Sequence, residues 1–195
     1  MAVEHDLADL VAEAAAERPE ALAIVESGGR RLSWSGLEDE VGRIATGLGM
    51  AGIVAGQRVL LAVGNRLEFV TTYLGVLRAQ MVAVPVNPRA TVDELARMIA
   101  DSGSRLVVAD PSTVAAVREA VALVRGAVEG ANDLLDDDLV ARAAAGLLVV
   151  VIDAEPREDE LSFDRLRANH AEQVLPLPDP EKLATLLYTS GTSGR

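Results

Sequence analysis

The chain has 195 residues, enough to bury a sizeable core, and sets 18 lysines and arginines against 30 acidic residues for a net charge of −12. A field of that sign repels nucleic-acid backbones and anionic membranes, which makes both poor partners, although a local ring of N–H donors can still hold a nucleotide against a screened distant charge. Cysteine is absent, which removes disulfides, metal thiolates and thiol nucleophiles and fits a reducing compartment.

Leu7, Leu10, Val11 and Ala14 recur at helical spacing and predict an amphipathic helix that stops near Arg18, before Pro19. Residues 21–25 read as a strand, Gly28 and Gly29 as a tight turn, and Arg31 to Trp34 as the second arm of a hairpin. Ser35 and Glu38 have capping-box spacing ahead of the stripe Leu37, Val41, Ile44, Ala45 and Leu48. The apolar run from Val59 to Val63 predicts a strand covered on both faces. Asn65 and Glu68 then open a helix through Leu77 that is apolar nearly all round. Val82 to Val86 is the next strand, and Asn87-Pro88 a turn. Thr91 and Glu94 cap a helix with the stripe Leu95, Met98 and Ile99, which ends before Gly103. Leu106 to Ala109 predicts a strand, with Asp110 as the following N-cap and Pro111 at the first helical position.

Beyond Gly126 the pattern loosens. Residues 132–145 fit an acidic helix, Leu147 to Ile152 a buried strand, and 153–164 a charged loop. Pro176, Pro178 and Pro180 mark an extended connector leading to the apolar run Leu183 to Leu187. The alternation is β-α-β-α, which predicts an α/β fold with a mostly parallel sheet and helices on both faces. The expected organisation is residues 1–175 as the α/β part and 176–195 as connector, strand and terminal loop. Half the residues are hydrophobic and mean hydropathy is +0.23, high for a free-standing domain, so exposed apolar edges and self-association through them are expected. The N-terminus lacks the basic and apolar regions of a secretory signal, and the longest apolar stretch, Ala143 to Ile152, falls far short of the roughly 20 residues a membrane span needs. A cytoplasmic location is expected.

The last eight residues, Tyr188-Thr189-Ser190-Gly191-Thr192-Ser193-Gly194-Arg195, carry the chemistry. Gly191 and Gly194 let the backbone turn its N–H groups toward one anion, and the hydroxyls add donors without bulk, an arrangement suited to polyphosphate. A flexible linker, an expression scar and an ordinary strand exit are the bland alternatives. The stretch is not the common P-loop, which needs four residues between its glycines and a lysine after the second.

This loop resembles the signature phosphate loop of the acyl-adenylate-forming enzymes, the superfamily of acyl-CoA synthetases, luciferases and peptide-synthetase adenylation domains. Two upstream segments resemble its other signatures in the same order: Leu32-Ser33-Trp34-Ser35-Gly36-Leu37, and Leu77-Arg78-Ala79-Gln80 through Val84-Pro85-Val86-Asn87-Pro88. Trp34 stands where the family usually has tyrosine, Gly36 where it has glutamate and Gln80 where it has glycine. The resemblance implies the incomplete N-terminal domain of the adenylate-forming fold. It also implies that Thr189, Ser190, Gly191, Thr192, Ser193 and Gly194 wrap the β- and γ-phosphates of ATP, with no catalytic side chain and no metal ligand in this stretch of sequence. ATP, Mg2+ and coenzyme A are the implied cofactors, and a small-molecule carboxylic acid the implied substrate. Val84-Pro85-Val86-Asn87-Pro88 looks more like the acyl-CoA synthetase version than the amino-acid adenylation version, which favours a fatty or other organic acid. In the family, the loop continues into a further motif and into sequence supplying the acid pocket, a magnesium motif, a ribose aspartate and a catalytic lysine. By this resemblance the 195 residues alone have no ligase activity. The rival readings are a fatty acyl-AMP ligase that loads a carrier protein, and a non-catalytic scaffold.

Other candidates read as structural. Asp136, Asp137 and Asp138 are contiguous and point in different directions from a helix, as a solvated face does. His5 and His170 have no metal spacing and take surface or loop roles. Trp34 and Tyr73 lie on apolar faces and read as core. Lys182, the only lysine, carries no assigned chemistry.

Overall fold

The computed structural model describes residues 7–128, 135–172 and 182–189. Helix α1 (Leu7–Glu17) precedes an antiparallel hairpin of β1 (Leu22–Val25) and β2 (Arg31–Ser33), which turns at Gly29 with φ 88°. Then follow α2 (Trp34–Met50), β3 (Arg58–Ala62), α3 (Leu67–Arg78), β4 (Val82–Pro85), α4 (Val92–Ser102), β5 (Leu106–Ala109) and α5 (Val114–Ala127). The last elements are α6 (Asp137–Ala144), β6 (Leu148–Val151), β7 (Glu160–Ser162) and α7 (Phe163–Leu166).

Strands β3 to β7 form one parallel sheet in the order β4-β3-β5-β6-β7. Because strand side chains alternate between faces, two cores result. Leu60, Val84, Val107, Val149 and Val151 face α4, α5 and α6, whereas Val59, Leu61, Ala83, Val108 and Val150 face α2, α3 and α7. Leu60 and Leu61 are consecutive and both fully buried, as a doubly covered strand requires; each side chain contributes about 2 kcal/mol. Helix α1 and the hairpin pack on α2 and α3 around Val11, Leu37, Val41 and Leu74.

Close approach fixes the α2 layer. A Cβ on Gly75 of α3 would stand 2.7 Å from Ile44, and one on Gly47 of α2 would stand 1.7 Å from the carbonyl oxygen of Leu166. Arg43 Nε donates to Ala168 O at 2.8 Å and Ala168 N donates to Arg43 O, so α2 also clips the chain leaving α7.

The sequence expectations hold for the parallel α/β layering, for the hairpin, and for the capping box at Thr91 and Glu94 with left-handed Gly103 closing α4. Several local starts differ. The N-cap of α2 is Ser33, not Ser35: Ser33 Oγ accepts from Gly36 N at 3.2 Å, and Glu38 instead forms a two-pronged ion pair with Arg78 of α3. At α3 the cap position is Arg66 rather than Asn65, and the free Leu67 N donates across the molecule to Glu26 Oε1 of the hairpin turn at 3.1 Å. Asp110 and Pro111 form a separate turn, and α5 starts after Thr113. Helix α6 spans only Asp137–Ala144, with Asp136 as its N-cap; residues 132–134 lie outside the described residues, as do His5 and the connector prolines. The charged stretch 153–164 is not all loop. Its end pairs in parallel with β6 as β7, where the buried Glu160 carboxylate is neutralised by Arg118 at 2.7 and 2.9 Å.

Candidate functional site

In a doubly wound sheet of this order, the crevice expected to hold a ligand lies where the connections reverse, outside the carboxyl ends of β3 and β5. Here the chain fills it. Asp110, 4% exposed, accepts from Gly64 N, Ser112 N and Ser112 Oγ at 2.6 to 2.8 Å, while Thr113 Oγ donates to Ala62 O at 2.5 Å. Burial pushes the Asp110 carboxyl up, but these donors outweigh it and hold the group below its ordinary range. The carboxylate is spent on structure.

A cavity of about 340 Å³ opens nearby, between the hairpin, α2, α3 and the β6–α7 region. Most of its charged lining is already committed. Arg30 bonds Glu26 and Glu68, Arg66 joins Glu68 to Asp153, and Arg167 pairs with Glu40. Burial raises Glu68, yet the Arg30 and Arg66 guanidiniums bring its carboxyl down to about 2.

The remaining edge of the sheet leads to the expected loop. Residues 184–186 run alongside β4 with one parallel bridge, Ala83 to Thr185: Ala83 N donates to Ala184 O at 3.0 Å and Leu186 N donates to Ala83 O at 2.9 Å. Because the bridge is parallel, the segment emerges at the same end of the sheet as the carboxyl ends of β3, β4 and β5, where backbone donors suit an anion. Two side chains fasten it from opposite layers. Tyr73 of α3 hydrogen-bonds Thr185 Oγ at 2.8 Å, and Tyr188 donates its phenol to Asp101 Oδ2 of α4 at 2.5 Å. Leu186 and Tyr188 pack toward the α4–α5 core. Burial, then the Asp101 carboxylate, pushes the Tyr188 phenol well above its ordinary range, so it remains a donor.

Of the six loop residues expected from the sequence, Thr189 is described and exposed at the end of this segment, while Ser190, Gly191, Thr192, Ser193 and Gly194 lie outside the described residues. Among the described residues no cluster of histidine or carboxylate side chains could hold a metal ion. Asp136 accepts from Asp138 N and Leu139 N, and His170 makes a surface contact with Glu172. The Tyr73 ring is half-buried and stacked on Phe69, as core reading predicts, but its hydroxyl has a partner 112 positions away that no local pattern could reveal. Trp34 packs at the margin of the α1–α2–α3 core.

Residues 11–195 match the family described as AMP-binding enzyme. The chain belongs to this family. It is 30% identical to the probable CoA ligase CCL9 of Humulus lupulus over all of this chain and 34% of that protein. It is also 30% identical to the sulfoacetate–CoA ligase of Cupriavidus necator, over 96% of this chain and 33% of that one. The chain thus spans about a third of the length of these curated relatives. In fold it is similar to coronafacic acid ligase from Pectobacterium brasiliense, with a TM-score of 0.77 at 19% identity over 94% of this chain and 33% of that one. The N-terminal domain of FACL13 from Mycobacterium tuberculosis gives a TM-score of 0.73 at 22% identity over 95% and 42%. The architecture is that of the N-terminal region of adenylate-forming enzymes. No helix among the described residues is long and apolar enough to cross a membrane.

Proposed function

We propose that this chain is the N-terminal segment of an ATP-dependent ligase that joins a carboxylic acid to coenzyme A, and that Thr189 to Gly194 form its triphosphate-binding loop. The observation that carries this is the parallel edge segment 184–186, whose described residues reach the carboxyl end of the sheet at Thr189, directly before the glycine- and hydroxyl-rich sequence. A carboxylate oxygen attacks the α-phosphorus of ATP, the bond to the β-phosphate oxygen breaks, and pyrophosphate leaves with the electron pair. The thiol then displaces AMP from the acyl-adenylate. Backbone N–H groups and hydroxyls of the loop stabilise charge growing on the departing pyrophosphate, and they hold it in line. No covalent intermediate forms on these side chains.

The relatives include ligases for sulfoacetate and 4-chlorobenzoate, which supports an organic acid as substrate. Within that class we favour a fatty or other organic acid over an amino acid, from the Val84-Pro85-Val86-Asn87-Pro88 segment. ATP–pyrophosphate exchange by the longest natural polypeptide carrying this segment tests the reading. Exchange driven by carboxylic acids and not by amino acids is the expected result, and exchange driven only by an amino acid contradicts it.

A further inference from the structure

A phosphate loop works only if its first residue starts from a fixed place, and the backbone here supplies little fixing. Residues 182–189 make one bridge to β4, whereas the ladders inside the sheet run three or four residue pairs. Leu183 and Leu187 are 55% and 68% exposed, so apolar contact is confined to Leu186 and Tyr188, which pack only partly buried against the α4–α5 core. Polar side chains fasten the segment from both layers, Tyr73 of α3 to Thr185 and Asp101 of α4 to Tyr188. Adjacent side chains on a strand point to opposite faces, so positions 185 and 188, three apart, reach opposite layers. The two bonds straddle Leu186, whose amide closes the bridge, and the second lies one residue before Thr189.

We propose that Tyr73 and Asp101 are positioning residues for ATP, clamping residues 185–188 from both faces of the sheet and so setting where the triphosphate loop begins. The inference rests on the reading of Thr189 to Gly194 given above, and adds two residues outside every signature segment. Neither touches the nucleotide. Each acts through a side chain of the segment, so its loss loosens the loop's origin and weakens the grip on triphosphate while leaving the acid site alone.

The test uses Tyr73→Phe, which removes one hydroxyl, and Asp101→Asn, which removes the charge, in the longest natural polypeptide. Amide exchange at Leu186 reports the clamp, and pyrophosphate exchange with ATP and acid varied separately reports function. We expect Leu186 to exchange about fivefold faster in Tyr73→Phe and about tenfold faster in Asp101→Asn, with the KM for ATP rising by like factors. The KM for the acid and the melting temperature stay at wild-type values. Tyr73→Phe combined with Thr185→Val should cost no more than either alone, because both remove the same bond. Unchanged Leu186 exchange, or an unchanged KM for ATP beside faster exchange, overturns the proposal. Equal rises in both KM values overturn it as well, since they mark general loosening. A wild-type protein with no ATP-dependent exchange overturns the underlying functional reading, and is told apart because it fails before any substitution is made.

Discussion

The interior of the sheet and its outer edge are fastened by different means. Between β3 and β5, four consecutive residue pairs in register lie under helices on both faces, and every one of Val59 to Ala62 and Leu106 to Ala109 is buried. Beside β4, residues 184–188 share one bridge, two hydrogen bonds through tyrosine hydroxyls and the partial packing of Leu186 and Tyr188 on the α4–α5 core. The interior is held by many bonds in register, and its geometry tolerates almost no added volume. The edge is the reverse: roomy, and dependent on single contacts. Binding loops are commonly carried in this way, by a lightly held segment on a rigid scaffold.

The sharpest way to break the interior is to add one methyl group. Gly47→Ala places a Cβ against the Leu166 carbonyl, where backbone rather than a flexible tip must yield. We expect a loss of about 3 kcal/mol despite the better helix propensity of alanine. Thermal unfolding should show it, and Leu186 protection should fall together with global stability. Asp101→Asn should separate the two.

A smaller effect, confined to acid, tests the ion-pair cluster that ties the hairpin to α3. The Glu68 carboxyl ionises at about 2 in the folded protein, below its ordinary value of 4.5. Its stabilising contribution is therefore complete above the unfolded value and is lost as pH falls from there toward 2. Melting temperature measured across that window should fall less steeply in Glu68→Gln than in the wild type. Equal slopes would show that the Arg30 and Arg66 pairs contribute nothing.

The smallest effects come from two departures from the family pattern. Gln80 follows α3 with φ 59°, and its N–H and that of Met81 donate to Leu77 O and Val76 O, a left-handed helix end that glycine adopts without strain. Gly103 closes α4 with the same φ. Gln80→Gly should therefore stabilise by about 1 kcal/mol. Gly36 occupies the position where a glutamate would complete the capping box with Ser33, and a Cβ there meets only ordinary contacts. Gly36→Glu should add about 1 kcal/mol from propensity and capping together. Denaturant midpoints check both, and a drop in either would mean that the native residue has a role not visible in its contacts.

Much of the scaffold was legible because its strands are continuous apolar runs between helical stripes. Strand β7 was not, since Glu160-Leu161-Ser162 has one apolar residue and its buried carboxylate is made acceptable only by Arg118, 42 positions earlier. The misplaced caps share a cause. Ser35 and Asp110 have the right chemistry for an N-cap, but Ser33 lies nearer the strand end, and Asp110 is drawn into bonds with Gly64 and Ser112. For the candidate site, the proposed loop rests on glycine and hydroxyl spacing in the sequence. Its fastening to Tyr73 and Asp101 depends on the sheet order bringing distant helices to one edge, which no local pattern encodes.

The central claim is that Thr189 to Gly194 grip the triphosphate of ATP, and acid-dependent pyrophosphate exchange with Ser190→Ala and Thr192→Val combined tests it most directly. The account predicts that the exchange rate falls by about a hundredfold while the KM for the acid is unchanged. Exchange at the wild-type rate in the double variant would contradict it.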